Sequence, residues 1–196
     1  LPPHPEYVSL KKSSPGWDGV GLSVLKCSLC LIIDPLVHLV NLSLSCGIFP
    51  NELKLAKVLP LFKSGDTSLF TNHHPVSVLS IVSKVFEKIF YIRLLNFLKK
   101  FKILFKYQFG FREKHSTYMA LLTLLDKVIE AFERGEFVIG VFLDFSKAFD
   151  TINHEILLQK LDFYGIRGVA NKWIQSYLLN RSQYVNFNGT TSSCKN

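Results

Sequence analysis

The chain has 196 residues, 48% of them hydrophobic and 19% charged, with 23 Lys and Arg against 15 Asp and Glu. That length suits one domain or part of a larger one, and the composition excludes a disordered or collagen-like chain. The formal charge of +8 and the pI near 9.3 favour polyanionic partners, nucleic acid first, without by themselves establishing a function.

Residues 1–14 read as an extended, Pro-containing arm, and a first residue that is Leu rather than Met suggests a fragment. Ser14-Pro15-Gly16-Trp17-Asp18-Gly19 is a turn cluster, with Asp18 placed to cap the following helix. Helical periodicity then runs to about Ser45. It is expected in two pieces, with Pro35 in the first turn of the second, Gly47 as the stop and Pro50 beyond it. Lys26, Asp34 and several polar residues interrupt the apolar segment from Val20 to Phe49, so no membrane span is expected, and no signal peptide is visible. Cys27 and Cys30 make a lone CxxC with no second ligand pair at zinc spacing; within an apolar helical pattern they are expected to be buried thiols. With Cys46 and Cys194 they give no disulfide framework, which fits a reducing, intracellular compartment without distinguishing nucleus from cytoplasm.

AKVLPLF, residues 56–62, reads as a strand, and Pro60 places it near an edge or bulge. Lys63-Ser64-Gly65-Asp66 reads as a turn, and TNHHPVSVLS leads into a helix from about Ile81 to Phe101 with one broad apolar face. Next comes a basic stretch in which Lys99, Lys100, Lys102, Lys106, Arg112 and Lys114 meet only one acid, Glu113. Phe101, Phe105, Tyr107, Phe109 and Phe111 are interleaved with them. Cations neutralise phosphates and aromatic rings stack on bases, so the stretch is a nucleic-acid candidate. The alternative is a solvated connector with core aromatics, and for the aromatics that alternative is the stronger. Ser116 or Thr117 caps the next helix, whose stripe Tyr118, Leu121, Leu122, Leu125, Val128, Ile129 and Phe132 is expected to be core, with Gly135 as its stop.

The chain is organised around FVIGVFLDFSKAFD, Phe137 to Asp150. The apolar run to Leu143 reads as a strand buried on both faces. A carboxylate at the end of such a strand is costly to bury without a cation or donor, which makes Asp144 a candidate Mg²⁺ ligand. The plainer reading is an aspartate that caps a turn or the next helix. Asn153 caps a helix to about Tyr164, Gly165 to Gly168 breaks it, and a second helix runs to about Leu179. Arg181 to Ser193 reads as a hairpin turning at Asn188-Gly189. No internal repeat or low-complexity segment is present.

FLDFSKAFDTINHEILLQKL resembles the first catalytic motif of reverse transcriptases of non-LTR retrotransposons, in particular the jockey-like clade. The resemblance implies that Asp144 binds catalytic metal and that Phe149 lies under the incoming sugar and excludes a 2′-hydroxyl. KKSSPGWDGVGLSVLK resembles the segment before the fingers in the same family. QFGFREKHST resembles the motif that tracks template strand and nucleotide, which implies contacts from Gln108, Gly110 and Arg112. Gly110 would let the backbone approach a ligand closely. In the family, the LFK lysine and an arginine before the PVS-type motif grip the triphosphate. Lys63 matches the first. His74 stands at the second, a departure, because histidine is mostly neutral at neutral pH and has one donor fewer than a bidentate arginine clamp.

The resemblance implies an α/β (α+β) architecture: the fingers and first half of the palm of a right-hand polymerase, incomplete. Residues 1–14 would be the arm, 15–135 a fingers-like region and 136–196 a partial palm. The implied function is a fragment of an RNA-directed DNA polymerase, inactive alone. It would use deoxynucleoside triphosphates, an RNA template, a DNA primer and a two-ion Mg²⁺ site only partly present. The PQG and paired-aspartate motifs of the family are expected beyond Asn196, and partners would include the remaining polymerase and an endonuclease domain. The alternatives are a transposon-derived remnant that only binds nucleic acid or a partner, and a degenerate reading frame with no selected role.

Overall fold

The computed structural model describes residues 14–195, so all but the last residue of the expected N-terminal arm lies outside them. In chain order the elements are α1 (Leu22–Cys46), β1 (Leu55–Phe62), β2 (His73–Val78), α2 (Ile81–Lys100), α3 (Thr117–Glu133), α4 (His154–Phe163), α5 (Gly168–Leu178), β3 (Ser182–Phe187) and β4 (Thr190–Thr191). This is a mixed α/β chain with a small sheet and five helices. It forms two compact units. One runs to Leu94 and resumes at Asn153; the other is Leu95–Ile152.

In the first unit the sheet order is β2-β1-β3-β4. β1 pairs antiparallel with β2 and parallel with β3. Two prolines face each other where Pro60 pairs with Pro75. Neither has an N–H, so this must be a non-hydrogen-bonded pair of the antiparallel ladder, with each ring nitrogen turned away from the partner strand. Pro75 then points off the sheet edge. Pro60 points where β3 has already left the ladder, since that pairing ends at Val58 with Val185. The proline that suggested an edge is therefore accommodated in an interior strand. β2 had no strand signal of its own; its ladder with β1 makes it one. The β3–β4 hairpin turns at Asn188 and Gly189, with φ of 48° and 80°, as Asn-Gly predicts.

α1 is one helix, not two, and Pro35 lies inside it. The missing N–H leaves the carbonyl one turn back unpaired, and Leu31 there is on the exposed side, where water can serve it. Asp18 does not cap α1. Its Oδ1 accepts from the Val20 N–H at 3.1 Å, while the N-cap is Gly21. Gly47 ends the helix at φ 69°, and its N–H donates to the Ser43 carbonyl. Cys27 and Cys30 are exposed, not buried, because the apolar composition of α1 extends around more of the helix than its neighbours cover; Cys46 is exposed as well. For the same reason α1 has the length and apolar composition of a membrane span, so Lys26 and Asp34 alone do not exclude one. Its inner face is nonetheless packed. Leu25 clusters with Ile81 and Val85 of α2, and Ser43 accepts a hydrogen bond from Trp173 of α5.

The centre of this unit is aromatic. Phe49 has no exposed surface and meets the rings of Phe86, Trp173 and Tyr177 edge-on, with centroids 5.1–6.2 Å away. Phe90 stacks on Trp173 at 4.0 Å. The Phe49 N–H donates to Ser176 Oγ, and Asn171 Nδ2 donates to the carbonyls of Leu158 and Ile166, tying α4 to α5. Ser80 caps α2 by accepting the Ser83 N–H. Gly16 packs against that cap so closely that a Cβ would stand 2.6 Å from the Ser80 nitrogen.

In the second unit Ser116, not Thr117, caps α3 by accepting from the Met119 N–H, and Gly135 follows its end at φ 71°. Two expectations are corrected here. The stripe of α3 is not core: Tyr118, Leu121, Leu122, Leu125, Ile129 and Phe132 are exposed, and Ala131 is the buried residue of the helix. The run from Phe137 to Leu143 is not a buried strand. It pairs with no strand among the described residues, and Phe137 is 100% exposed. A strand exists only where a neighbour takes its N–H and C=O groups, and the named strands all belong to the other unit.

Candidate functional site

The sequence-predicted site residues divide between the two units. Lys63 and His74 belong to the first, on the β1–β2 pair. Leu61 pairs with His74, so the two side chains share a sheet face. Lys63 follows β1 by one residue and continues the ladder, its N–H donating to the Asn72 carbonyl at 2.9 Å. The period of two therefore puts Lys63 on the face of Leu61 and His74. Both residues are exposed. The loop between them is held by Asp66, which accepts from the Ser68 N–H and hydroxyl at 2.8 Å each. Those two bonds, the backbone one first, hold the Asp66 carboxyl below its ordinary range.

The second unit holds the other candidates. Lys99, Lys100, Lys102, Lys106 and Lys114 are exposed. Lys99 pairs with Glu113 at 3.1 Å. Lys100 lies over the Phe101 ring at 5.5 Å and Lys106 over the Tyr107 ring at 4.7 Å. The Arg112 guanidinium is occupied internally, donating to the carbonyls of Phe105 and Gln108. Gln108 donates to the Gly110 carbonyl at 3.4 Å, and nothing lies within 4 Å of where a Gly110 Cβ would be. Phe149 is exposed and meets Phe111 edge-on at 5.9 Å. Phe111, Lys102 and Lys114 hold positive φ without being glycine, about 1–2 kcal/mol of backbone strain each.

Asp144 is exposed, with no hydrogen-bond or ion-pair partner among the described residues. Its oxygens are the right kind for Mg²⁺. No group of three or more His, Cys, Asp or Glu that could hold a metal ion exists among the described residues. The residues described therefore do not make up a two-ion centre.

One polar cluster was not foreseen. Lys54 and Arg181 immediately precede Leu55 and Ser182, the first pair of the parallel β1–β3 ladder. Lys54 is only 4% exposed, with no hydrogen-bond or ion-pair partner for its ammonium among the described residues. Burial first, and Arg181 second, pull its pKa below the ordinary lysine value. Arg181 lies 4.6 Å from the Tyr177 ring centroid, and the Tyr177 hydroxyl donates to Glu87 at 3.0 Å. Burial, then the Glu87 charge, pushes Tyr177 up to about 12. Burial likewise raises Glu87, against the pull of the Tyr177 hydrogen bond. Nothing in the sequence flags Lys54, because the parallel pairing that sets it beside Arg181 joins segments 127 residues apart.

Residues 63–196 match the family model described as reverse transcriptase (RNA-dependent DNA polymerase). Over 177 residues the chain is 32% identical to a probable RNA-directed DNA polymerase from transposon BS of Drosophila melanogaster, a match covering 87% of this chain and 19% of that protein. It is 30% identical over 191 residues to the RNA-directed DNA polymerase from mobile element jockey of the same fly, covering 94% and 20%. A third similar protein is the probable RNA-directed DNA polymerase from transposon X-element, 27% identical with 92% and 20% covered. The chain thus spans about a fifth of the length of these curated relatives.

Proposed function

Because this chain belongs to the reverse transcriptase (RNA-dependent DNA polymerase) family, with relatives among non-LTR retrotransposon polymerases, we propose that it supplies part of the nucleotide and template site of an RNA-directed DNA polymerase. In this reading it forms fingers and the first half of a palm, and works with an RNA template, a DNA primer and deoxynucleoside triphosphates inside the cell. Lys63 and His74 contact the triphosphate from one sheet face. Phe149 lies under the sugar, Arg112 and the Gln108–Gly110 turn track nucleotide and template, and the exposed lysines meet phosphates. Asp144 is one ligand of a divalent metal whose other ligands come from elsewhere in the polymerase. When bound, that metal would stabilise charge developing on phosphate oxygens. The observation that carries the proposal is the family match over 63–196, one continuous stretch containing Lys63, His74, Arg112, Asp144 and Phe149.

The test is a fusion of this chain to the remaining sequence of the jockey relative, assayed by primer extension on RNA. Asp144→Ala is expected to reduce extension by a factor of a hundred or more, since about 2.7 kcal/mol of transition-state stabilisation corresponds to that factor. Asp126→Ala, an exposed carboxylate on α3, is the control and should change little. Equal extension by the two variants would refute the role of Asp144. A second reading, nucleic-acid binding without catalysis, is favoured by the exposed lysines of the Leu95–Ile152 unit, which need no metal to meet phosphates.

A further inference from the structure

On the sheet face opposite Lys63 and His74 lies a cavity of about 400 Å³, walled by β1, β2, β3 and the loop between β1 and β2. The ladder fixes the sidedness: Pro60 with Pro75 and Phe62 with His73 alternate with the Leu61–His74 pair. We propose that this cavity binds a planar heteroaromatic group carrying an N–H donor. The size is within the range of small-molecule sites.

Its walls and rim define the ligand class. Pro60 and Pro75 contribute ring methylenes and no N–H, and Val58, Val185 and Phe187 complete an apolar lining. Three lining residues carry polar side chains: Thr67, whose hydroxyl can donate or accept, and Ser68 and His73, which have both committed their protons. Ser68 Oγ donates to Asp66 Oδ1 at 2.8 Å, so its remaining capacity is to accept. His73 Nδ1 is 3.1 Å from the Leu69 carbonyl, which can only accept, so Nδ1 carries the proton and Nε2 of the neutral ring is an acceptor. The His73 ring is held edge-on by Phe62 at 5.7 Å and Phe187 at 5.9 Å. With one hydroxyl able to serve either sense and two acceptors beside the Asp66 carboxylate, the polar groups favour a ligand that donates and disfavour a phosphate, which sets this cavity apart from the triphosphate role read for Lys63 and His74. Phe70, also part of the lining, is 89% exposed and leaves a ring face for the ligand to cover. The group can be a free small molecule or a base unstacked from a single strand, since both present the same planar ring and N–H. The inference stands on the first unit alone and does not depend on whether the chain takes part in polymerisation.

The probes are indole and benzofuran, matched in shape, with the N–H of the first replaced by an oxygen in the second. Titrated into the full chain and followed by amide resonances, indole is expected to shift Val58, Val185 and Phe187. Benzofuran is expected to bind about five- to tenfold more weakly, the worth of one net hydrogen bond. Equal affinities would overturn the donor requirement, and no saturable shift with indole would overturn the site. Val185→Trp fills the cavity and should abolish indole binding. Should that variant fail to fold, Thr67→Trp, on the exposed loop at the rim, gives the same reading. Binding retained by a folded filled variant would place indole elsewhere and overturn the assignment. A single-stranded oligodeoxynucleotide that displaces indole identifies the base as the natural source; one that leaves it bound identifies a free molecule, and either result is compatible only with an occupied cavity.

Discussion

Replacing Lys100 and Lys106 with Glu should both weaken single-strand binding and flatten its dependence on salt. The expected size follows from which cations are available. Lys100, Lys102, Lys106 and Lys114 are exposed and pair with no carboxylate among the described residues, whereas Lys99 is engaged by Glu113 and Arg112 by two backbone carbonyls. Four phosphate contacts on a single strand give a slope of log affinity against log salt of about −2.8, so affinity falls about fiftyfold between roughly 50 and 200 mM salt. Loss of two contacts leaves a slope of about −1.4 and a fall of about sevenfold. The rings under Lys100 and Lys106 add only about 0.5–1 kcal/mol each at exposed sites, so the fold should survive the exchange, as circular dichroism would check. The assay is fluorescence anisotropy of a labelled single strand across the salt series. If parent and double variant share one affinity and one slope, the lysines are a solvated surface and the nucleic-acid reading of this segment fails.

In the fusion described above, His74→Arg is expected to lower the KM for deoxynucleoside triphosphate by restoring a permanent, forked donor; steady-state kinetics with an unchanged KM would remove His74 from the triphosphate role. A polypeptide of these 196 residues is expected to give no templated extension with Mg²⁺ or Mn²⁺, because one carboxylate cannot hold two ions; extension by the parent that vanishes in Asp144→Ala would show a second ligand within the chain. Phe49→Ala, at a fully buried ring with three edge-on partners, should cost about 3–5 kcal/mol in urea denaturation, and a loss below about 1 kcal/mol would contradict that packing. Lys54→Met should stabilise the fold slightly, by less than about 1 kcal/mol near neutral pH, by keeping a packed chain of similar volume while removing a partly desolvated charge beside Arg181. The sign with pH follows from the lowered pKa of Lys54: the unfolded chain binds the extra proton, so parent stability gains from rising pH between the folded and ordinary lysine values. The advantage of Lys54→Met should therefore shrink at alkaline pH, and an advantage that grows would refute the assignment.

The sequence alone determined the features that are settled within a few residues. Asn153 caps α4, Gly47 ends α1 in the left-handed region and Asn188-Gly189 turns the β3–β4 hairpin, because each depends on local dihedrals and hydrogen bonds within one turn. The family was legible for a related reason: FLDFSKAFD and its companion motifs are linear strings of residues, readable whatever surrounds them. Tertiary structure decided what depends on a neighbour. HHPVSV became β2 because β1 lies beside it, and Pro60 sits in an interior strand because β3 diverges before reaching it. Lys54 met Arg181 only through a parallel pairing of distant segments. The apolar run from Phe137 to Leu143 and the stripe of α3 looked buried by composition, yet both are exposed. Periodicity reports which face of an element is apolar, but burial requires a second surface to cover it, and that surface is not written in the element's own residues.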